Sequence, residues 1–375
     1  VNYLNIALKV TVLLLSFGIL NAGTENVSLE EKPRDTAVHI SGQWFFAYRG
    51  YIPGRGDNAF GLKRGYLTVK KNLNEVFSVR YTQDITIDRE GEDAGNVELR
   101  FKYCYLRMAL PEFFIFSKPS LAVGLVPQPW VEYEQKINTY RVQGEMFLNK
   151  FGVASSADFG VSIDVLLGGE LDKETQKKVD SAMPGKYGSI SFGIYNGGGY
   201  SALEMNNNKT IEGRLTLRPL PERVPGLQFS YAFADGKGND TLNTIFRMHL
   251  FYVSHETAFS TVSAQCYTGQ GLHGGWYLGP NDGYSFFAEL ALPCIPLTVF
   301  GRYDHFNNKM VRATPTYGPY IESQTKTQAV IGGIAWNFYQ KNRLILDIEK
   351  QWISEWFSPG FSEHTIAELA LEIIF

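Results

Sequence analysis

The side chains of this sequence that could do chemistry are charges spaced two residues apart. In ELRFKYCY, Glu98, Arg100 and Lys102 alternate with Leu99, Phe101, Tyr103 and Tyr105, so an extended chain gathers the charges on one face and the apolar groups on the other. The same alternation recurs in Leu227–Phe233, Phe246–Tyr252, Leu297–Asp304 and Ala367–Phe375. If the charged parity turns inward in a closed sheet, the interior is lined by Arg64, Lys70, Arg80, Arg100, Lys102, Arg214, Arg218, Arg247, Arg302 and Arg343. Asp84, Glu98, Asp158, Asp164, Glu212, Glu289, Asp304, Asp347, Glu349, Glu368 and Glu372 face them, and the lining is mainly basic over 61–109 and mainly acidic over 342–375. Such charges either bias the entry of ions or pair across strands and stiffen the wall. Other chemistry is sparse. His39, His249, His255, His273, His305 and His364 come with no nucleophile elbow and no metal-spaced pair, so an enzyme is not expected. Cys104, Cys266 and Cys294 are too scattered for a disulfide framework, a zinc site or an attached haem, and neither metal nor cofactor is expected.

These side chains need strands to position them, and the chain supplies little else. From residue 37 onward no apolar stretch is long enough for a membrane helix, and a helical spacing of three and four is hard to find. Residues 1–22 have the pattern of a secretory signal peptide: Lys9, an apolar run from Val10 to Leu20 too short to span a bilayer, then small residues, with cleavage expected after Ala22. Residues 23–36 are a short polar periplasmic lead-in, too short for a plug domain, and residues 37–375 form one unit. Abundant Gly (37), Phe (26) and Tyr (21), with charge at only 19%, exclude a coiled coil and a disordered chain. A net charge of −3 without any basic run excludes a nucleic-acid partner.

Period two alone does not separate a soluble sandwich from a membrane barrel. Three features favour the barrel. Leu369, Leu371, Ile373 and Phe375 alternate to an aromatic end, the form of closing strand that outer-membrane assembly machinery recognises. Sixteen strands can be marked, near 38–50, 61–71, 75–84, 96–109, 119–127, 155–168, 187–196, 208–218, 226–235, 243–253, 258–268, 283–293, 296–306, 325–338, 342–352 and 363–375. The number is even, as a closed bacterial barrel requires. Connections also alternate: short at Asn72–Asn74, Ser254–Thr257, Cys294–Ile295 and Tyr339–Lys341, longer at 51–60, 128–154, 269–282 and 307–324. Gly169–Lys186 breaks this rule and has room for a further strand pair, so eighteen strands stays open. The fold expected is an all-β, transmembrane antiparallel β-barrel in the bacterial outer membrane, with its outer face on the lipid bilayer and its aromatics as interfacial girdles.

Five segments occur in an order that resembles the phosphate-selective porin O and P family of outer-membrane porins. They are FGLKRGYLTVK (Phe60–Lys70), LAVGLVPQPW (Leu121–Trp130), SSADFGVSI (Ser155–Ile163), YNGGGY (Tyr195–Tyr200) with EGRLTLRPLP (Glu212–Pro221), and the terminal Phe. The resemblance implies a sixteen-stranded barrel that often trimerises, and a third outer loop folded into the lumen. That loop is Gln128–Ala154, the longest, and it offers Trp130, Glu132, Tyr133, Glu134, Lys136, Tyr140, Arg141 and Glu145 as constriction residues. Family members named for phosphate use an arginine ladder and a lysine cluster, and the lysine cluster does not map onto this chain. The function expected is a passive water-filled channel for small anionic or polar solutes, as a homotrimer. The alternative is a sleeve around a partner protein, an electron carrier or lipoprotein encoded elsewhere.

Overall fold

The computed structural model describes residues 37–375 apart from 53–57, 89–90, 93, 180–182, 313–320 and 356–360. The expected signal peptide (1–22) and lead-in (23–36) therefore lie outside the described residues. Strands rich in aromatic and β-branched residues follow one another in the order β1 (Val38–Ile52), β2 (Ala59–Asn72), β3 (Phe77–Ile87), β4 (Val97–Ala109), β5 (Phe116–Pro127), β6 (Ala157–Leu167), β7 (Gly188–Tyr195), β8 (Thr210–Leu217) and β9 (Leu227–Lys237). They continue through β10 (Ile245–Glu256), β11 (Ser260–Gln270), β12 (Tyr277–Leu278), β13 (Pro280–Ala291), β14 (Leu297–Arg312), β15 (Ile321–Tyr339), β16 (Asn342–Glu355) and β17 (Phe361–Ile374). Among the described residues three short helices lie between strands: α1 (Val131–Ile137), α2 (Phe147–Lys150) and α3 (Lys173–Lys178).

Every pairing is antiparallel, and β1 pairs with β17 from Gln43↔Ile374 to Ile52↔Thr365, which closes the sheet on itself. The last residue takes part in this seam: Gly42 N–H donates to Phe375 O at 2.9 Å and Phe375 N–H returns the bond at 3.1 Å. β12 pairs only with β14, in line with β13, so the two count as one stave interrupted at Gly279, where φ is +119°. The wall is a closed barrel of sixteen staves. The connection after β6 holds α3, capped by the Asp172 side chain, and a single bridge between Glu170 and Gly185, so it adds no strand pair among the described residues.

Exposed apolar side chains show which face meets lipid. Leu99, Phe101, Phe229 and Leu369 are 59, 58, 49 and 43% exposed and lie on the outer face, with Leu371 half-buried beside them. Three expectations need correction. Of the segment 307–324, residues 307–312 and 321–324 belong to the wall: β14 runs to Arg312 and β15 starts at Ile321, paired as far as Arg312↔Ile321. Asn307, Asn308 and Lys309 in this segment are polar, and a ladder rising beyond the hydrocarbon carries them in water.

Parity in β4 also departs from a simple alternation. A β-bulge lies at Lys102, since Thr82 pairs with Tyr103 and Gln83 with Phe101. The extra residue sends Lys102 and Tyr103 inward together, so Tyr103 and Tyr105 are buried in the interior and Cys104 points out. Thirdly, Arg247 does not line the lumen. Its side chain is 56% exposed on the outer face and pairs with Asp235 at 2.8 Å, while Phe246, Met248, Leu250 and Tyr252 turn inward and are buried. The inner face of β10 is apolar because it packs on protein rather than on water.

Candidate functional site: the lumen and its third loop

What β10 packs on is the connection between β5 and β6, residues 128–156, called L3 below. Pro127 and Pro129 end the ladder of β5, because proline supplies no N–H to a neighbouring strand. The chain then turns inward as α1, with Glu132 and Glu134 in its first turn and Lys136 in its last, as the helix dipole favours. Val131, Glu134 and Ile137, three apart, make its buried face. Trp130, Val131, Tyr133, Ile137, Phe147, Leu148 and Val153 form one cluster with Phe246, Met248, Leu250, Tyr252, Tyr267 and Phe306 of the wall. The Trp130 ring meets Tyr252 edge-on at 5.0 Å. L3 therefore has a core of its own, on the β9–β14 side of the barrel.

Polar tethers hold the loop to the rest of the wall. Arg80 on β3 donates to Glu132 at 2.9 Å, Arg214 on β8 to the Pro129 carbonyl at 3.0 Å, and Lys63 on β2 to the Gln143 carbonyl at 2.9 Å. Arg302 on β14 donates to the Glu145 carbonyl at 2.9 Å, and Arg343 on β16 donates to Thr139 while stacking over Tyr140 at 4.3 Å. The other face of Tyr140 stacks on Phe300 at 4.0 Å. Of the remaining loop residues, Arg141 pairs with Glu145 at 3.7 Å and Lys136 is exposed to the lumen.

Most of the wall charges that the sequence singles out are matched by carboxylates. Asp84, fully buried on β3, collects Arg100 at 2.9 Å and Arg64 at 3.6 Å, and accepts a bond from the Tyr200 hydroxyl at 2.9 Å. Arg302 is held by Asp304 at 2.6 Å. Among the described residues, Lys70, Lys102, Lys136 and Arg214 have no carboxylate within ion-pair distance. The Lys102 ammonium instead lies 4.3 Å over the Tyr66 ring, and Arg214 is buried between Ser189 and Tyr133. A cavity of about 340 Å³ opens between α1 and the inner faces of β2–β8, with Lys70, Lys136 and Arg214 on its lining.

Two L3 carboxyls are tuned in opposite directions. Burial alone would raise Glu132, but Arg80 and Lys136 outweigh it and hold the group down at about 2. At Glu134 burial prevails and pushes the group up to about 7, against the lowering effects of its bond from Gln265 and of the Arg302 charge. Several participants were not legible as site residues. Lys63 faces the lumen beside Arg64 through a second bulge, where Phe45 pairs with Arg64 and Phe46 with Leu62. Arg107, turned inward by the bulge at Lys102, pairs with Asp164 at 3.4 Å. Adjacent polar residues in a strand, as at Lys63–Arg64, share a face only at a bulge, and that was the available signal. Tyr200, from the loop after β7, carried none. Among the described residues no group of three or more His, Cys, Asp or Glu could hold a metal ion.

No protein-family model and no curated protein matches the sequence. Solved structures do match. A loop-deletion mutant of OmpT, an outer membrane protein of Vibrio cholerae, superposes with a TM-score of 0.56 at 9% identity, over 90% of this chain and 99% of that one. The anion-selective porin from Comamonas acidovorans gives 0.54 at 13% identity over 90% and 99%, and the outer membrane channel DcaP of Acinetobacter baumannii 0.53 at 9% over 90% and 97%. The fold is that of the outer-membrane porins. At these identities the likeness speaks for the fold, and together with the apolar outer band it makes the chain a bacterial outer-membrane β-barrel.

Proposed function

We propose that the chain is a passive, water-filled channel for small polar and anionic solutes, narrowed by L3. The observation that carries this reading is L3 itself, seated inside a closed barrel and tethered on several sides, with unmatched cations on the space it leaves open. A loop in this position makes every solute pass the same few side chains. Of the eight loop residues singled out, Glu132, Lys136, Arg141 and Glu145 would face the solute as the constriction, while the buried Trp130, Tyr133, Glu134 and Tyr140 would seat the loop against the wall. Lys70, Lys102, Lys136 and Arg214 would supply a weak anion bias, whereas Arg64, Arg80, Arg100 and Arg302 are largely offset by their carboxylates. The reading includes a homotrimer, for which a trimer form of OmpT from Vibrio cholerae is a precedent of fold, an exported chain cut after Ala22, and no enzymatic activity. Placement within the phosphate-selective porin O and P family is the finer part of the reading and rests on the quoted segments alone.

The sleeve alternative is opposed by the same observation, because the chain's own loop occupies part of the lumen a partner protein would need. Conductance of purified protein in planar bilayers tests the proposal. Steady channels in KCl are expected, with a reversal potential of weak anion preference that fades as salt shortens the screening length, about 10 Å at 0.1 M. Absence of any conductance rejects the channel reading, and clear cation preference rejects the basic lining.

A further inference from the structure

The cavity beneath L3 has two kinds of lining. Arg80 and Arg107 already have their partners in Glu132 and Asp164, which leaves Lys70, Lys71, Lys136 and Arg214 as net positive charge. Arg214 is nearly fully buried, and its guanidinium lies 3.9 Å over the Tyr133 ring, so water screens it poorly. Beside these cations Tyr105, Tyr133, Pro129 and Met183 present ring, methylene and thioether surface to the same space.

Size separates the anions such a site can hold. At about 30 Å³ per water, the cavity takes on the order of eleven waters. A small inorganic oxyanion there keeps its hydration shell and feels only the field of these cations. An organic anion with a ring-sized apolar body displaces the water from Tyr105 and Met183 and still sets its carboxylate near the lysines. Resting on the channel reading above, we propose that this cavity is a transit site for organic monoanions with an apolar body, aromatic carboxylates foremost, in preference to inorganic phosphate.

Benzoate, acetate and phosphate as sodium salts are suitable probes, because benzoate and acetate share a carboxylate and differ by the ring. In planar bilayers the KCl conductance is recorded first, and its absence overturns the channel reading and this inference together. With KCl conducting, zero-current potentials across benzoate, acetate and phosphate gradients give the permeability ratios. Benzoate is expected to exceed acetate by about tenfold, the gain from covering a ring-sized apolar surface. Phosphate is expected to fall below both. A benzoate-to-acetate ratio at or below one, or phosphate above benzoate, overturns the inference while leaving the channel reading intact. Tyr105→Ala should bring the ratio toward one. Lys136→Gln, at an exposed loop position where folding is not at stake, should lower benzoate and acetate permeability together by a few-fold, and no change in either would place the site elsewhere.

Discussion

Replacing Glu134 by glutamine should abolish a pH dependence of the channel. The carboxyl is 3% exposed on α1, receives bonds from Trp130 Nε1 at 3.0 Å and Gln265 Nε2 at 2.6 Å, and stands in the apolar cluster that seats L3. Arg302 draws it down and Asp304 pushes it up from the β14 side, and burial dominates, leaving it at about 7. On a loop released into water the same group has its ordinary value of 4.5. Below pH 4.5 both forms are neutral and seating is at full strength. Between 4.5 and about 7 the seated loop keeps a proton the released loop has lost, so seating weakens as pH rises, and above that window the penalty is constant. The difference of about 2.5 pH units corresponds to about 3 kcal/mol. Glutamine cannot ionise. It keeps the bond from Gln265 through its carbonyl and leaves the buried Trp130 N–H without an acceptor, a cost of about 1–3 kcal/mol that is the same at every pH. Single-channel recordings at pH 5 and pH 8 are the assay: larger or noisier openings are expected at pH 8 in the natural protein, and none of this change in Glu134→Gln. A natural protein indifferent to pH across this range, or a variant that keeps the dependence, would refute the assignment of Glu134 as the group that loosens L3.

Two further outcomes test the wall. Phe101→Arg, on the lipid face, should cost about 2–4 kcal/mol in urea unfolding from vesicles if it lies near the midplane, whereas Arg100→Gln should cost little, since Asp84 retains Arg64 and Tyr200; equal losses would mean the faces are misassigned. Deleting Phe375 removes the backbone pair with Gly42 at the seam, so outer-membrane assembly measured by protease resistance in cells should drop, and full assembly of the truncated chain would count against a closing role for this residue.

The barrel was legible because period two reports directly which residues share a face, and because short and long connections alternate in the sequence. Leu99, Phe101, Phe229 and Leu369 fell on the outer face for this reason. Reading failed where the inside of the barrel is not water. The stretch Phe246–Tyr252 has the same alternation as a lipid-facing strand, and only the apolar underside of L3 decides that its apolar set turns inward and Arg247 outward. Bulges hid Lys63 and Arg107, since a single extra residue reverses every side chain beyond it. The loop residues were identifiable as a group, but their separate fates depended on contacts made across more than fifty residues, as with Arg80 and Glu132 or Gln265 and Glu134.

The seating of L3 also bears on the order in which the molecule can be built. Gln43 and Glu372, hydrogen-bonded beside the seam, are 329 residues apart, so closing that edge carries the largest loop entropy in the chain and belongs at the end. The loop's apolar side, by contrast, has most of its complement once β9, β10 and β11 exist, with Phe306 of β14 added later. A half-made, still open sheet can thus take L3 onto its concave side first, and the docked loop then serves as a former around which the remaining strands curve. On this view the constriction is older in the life of each molecule than the pore it constricts.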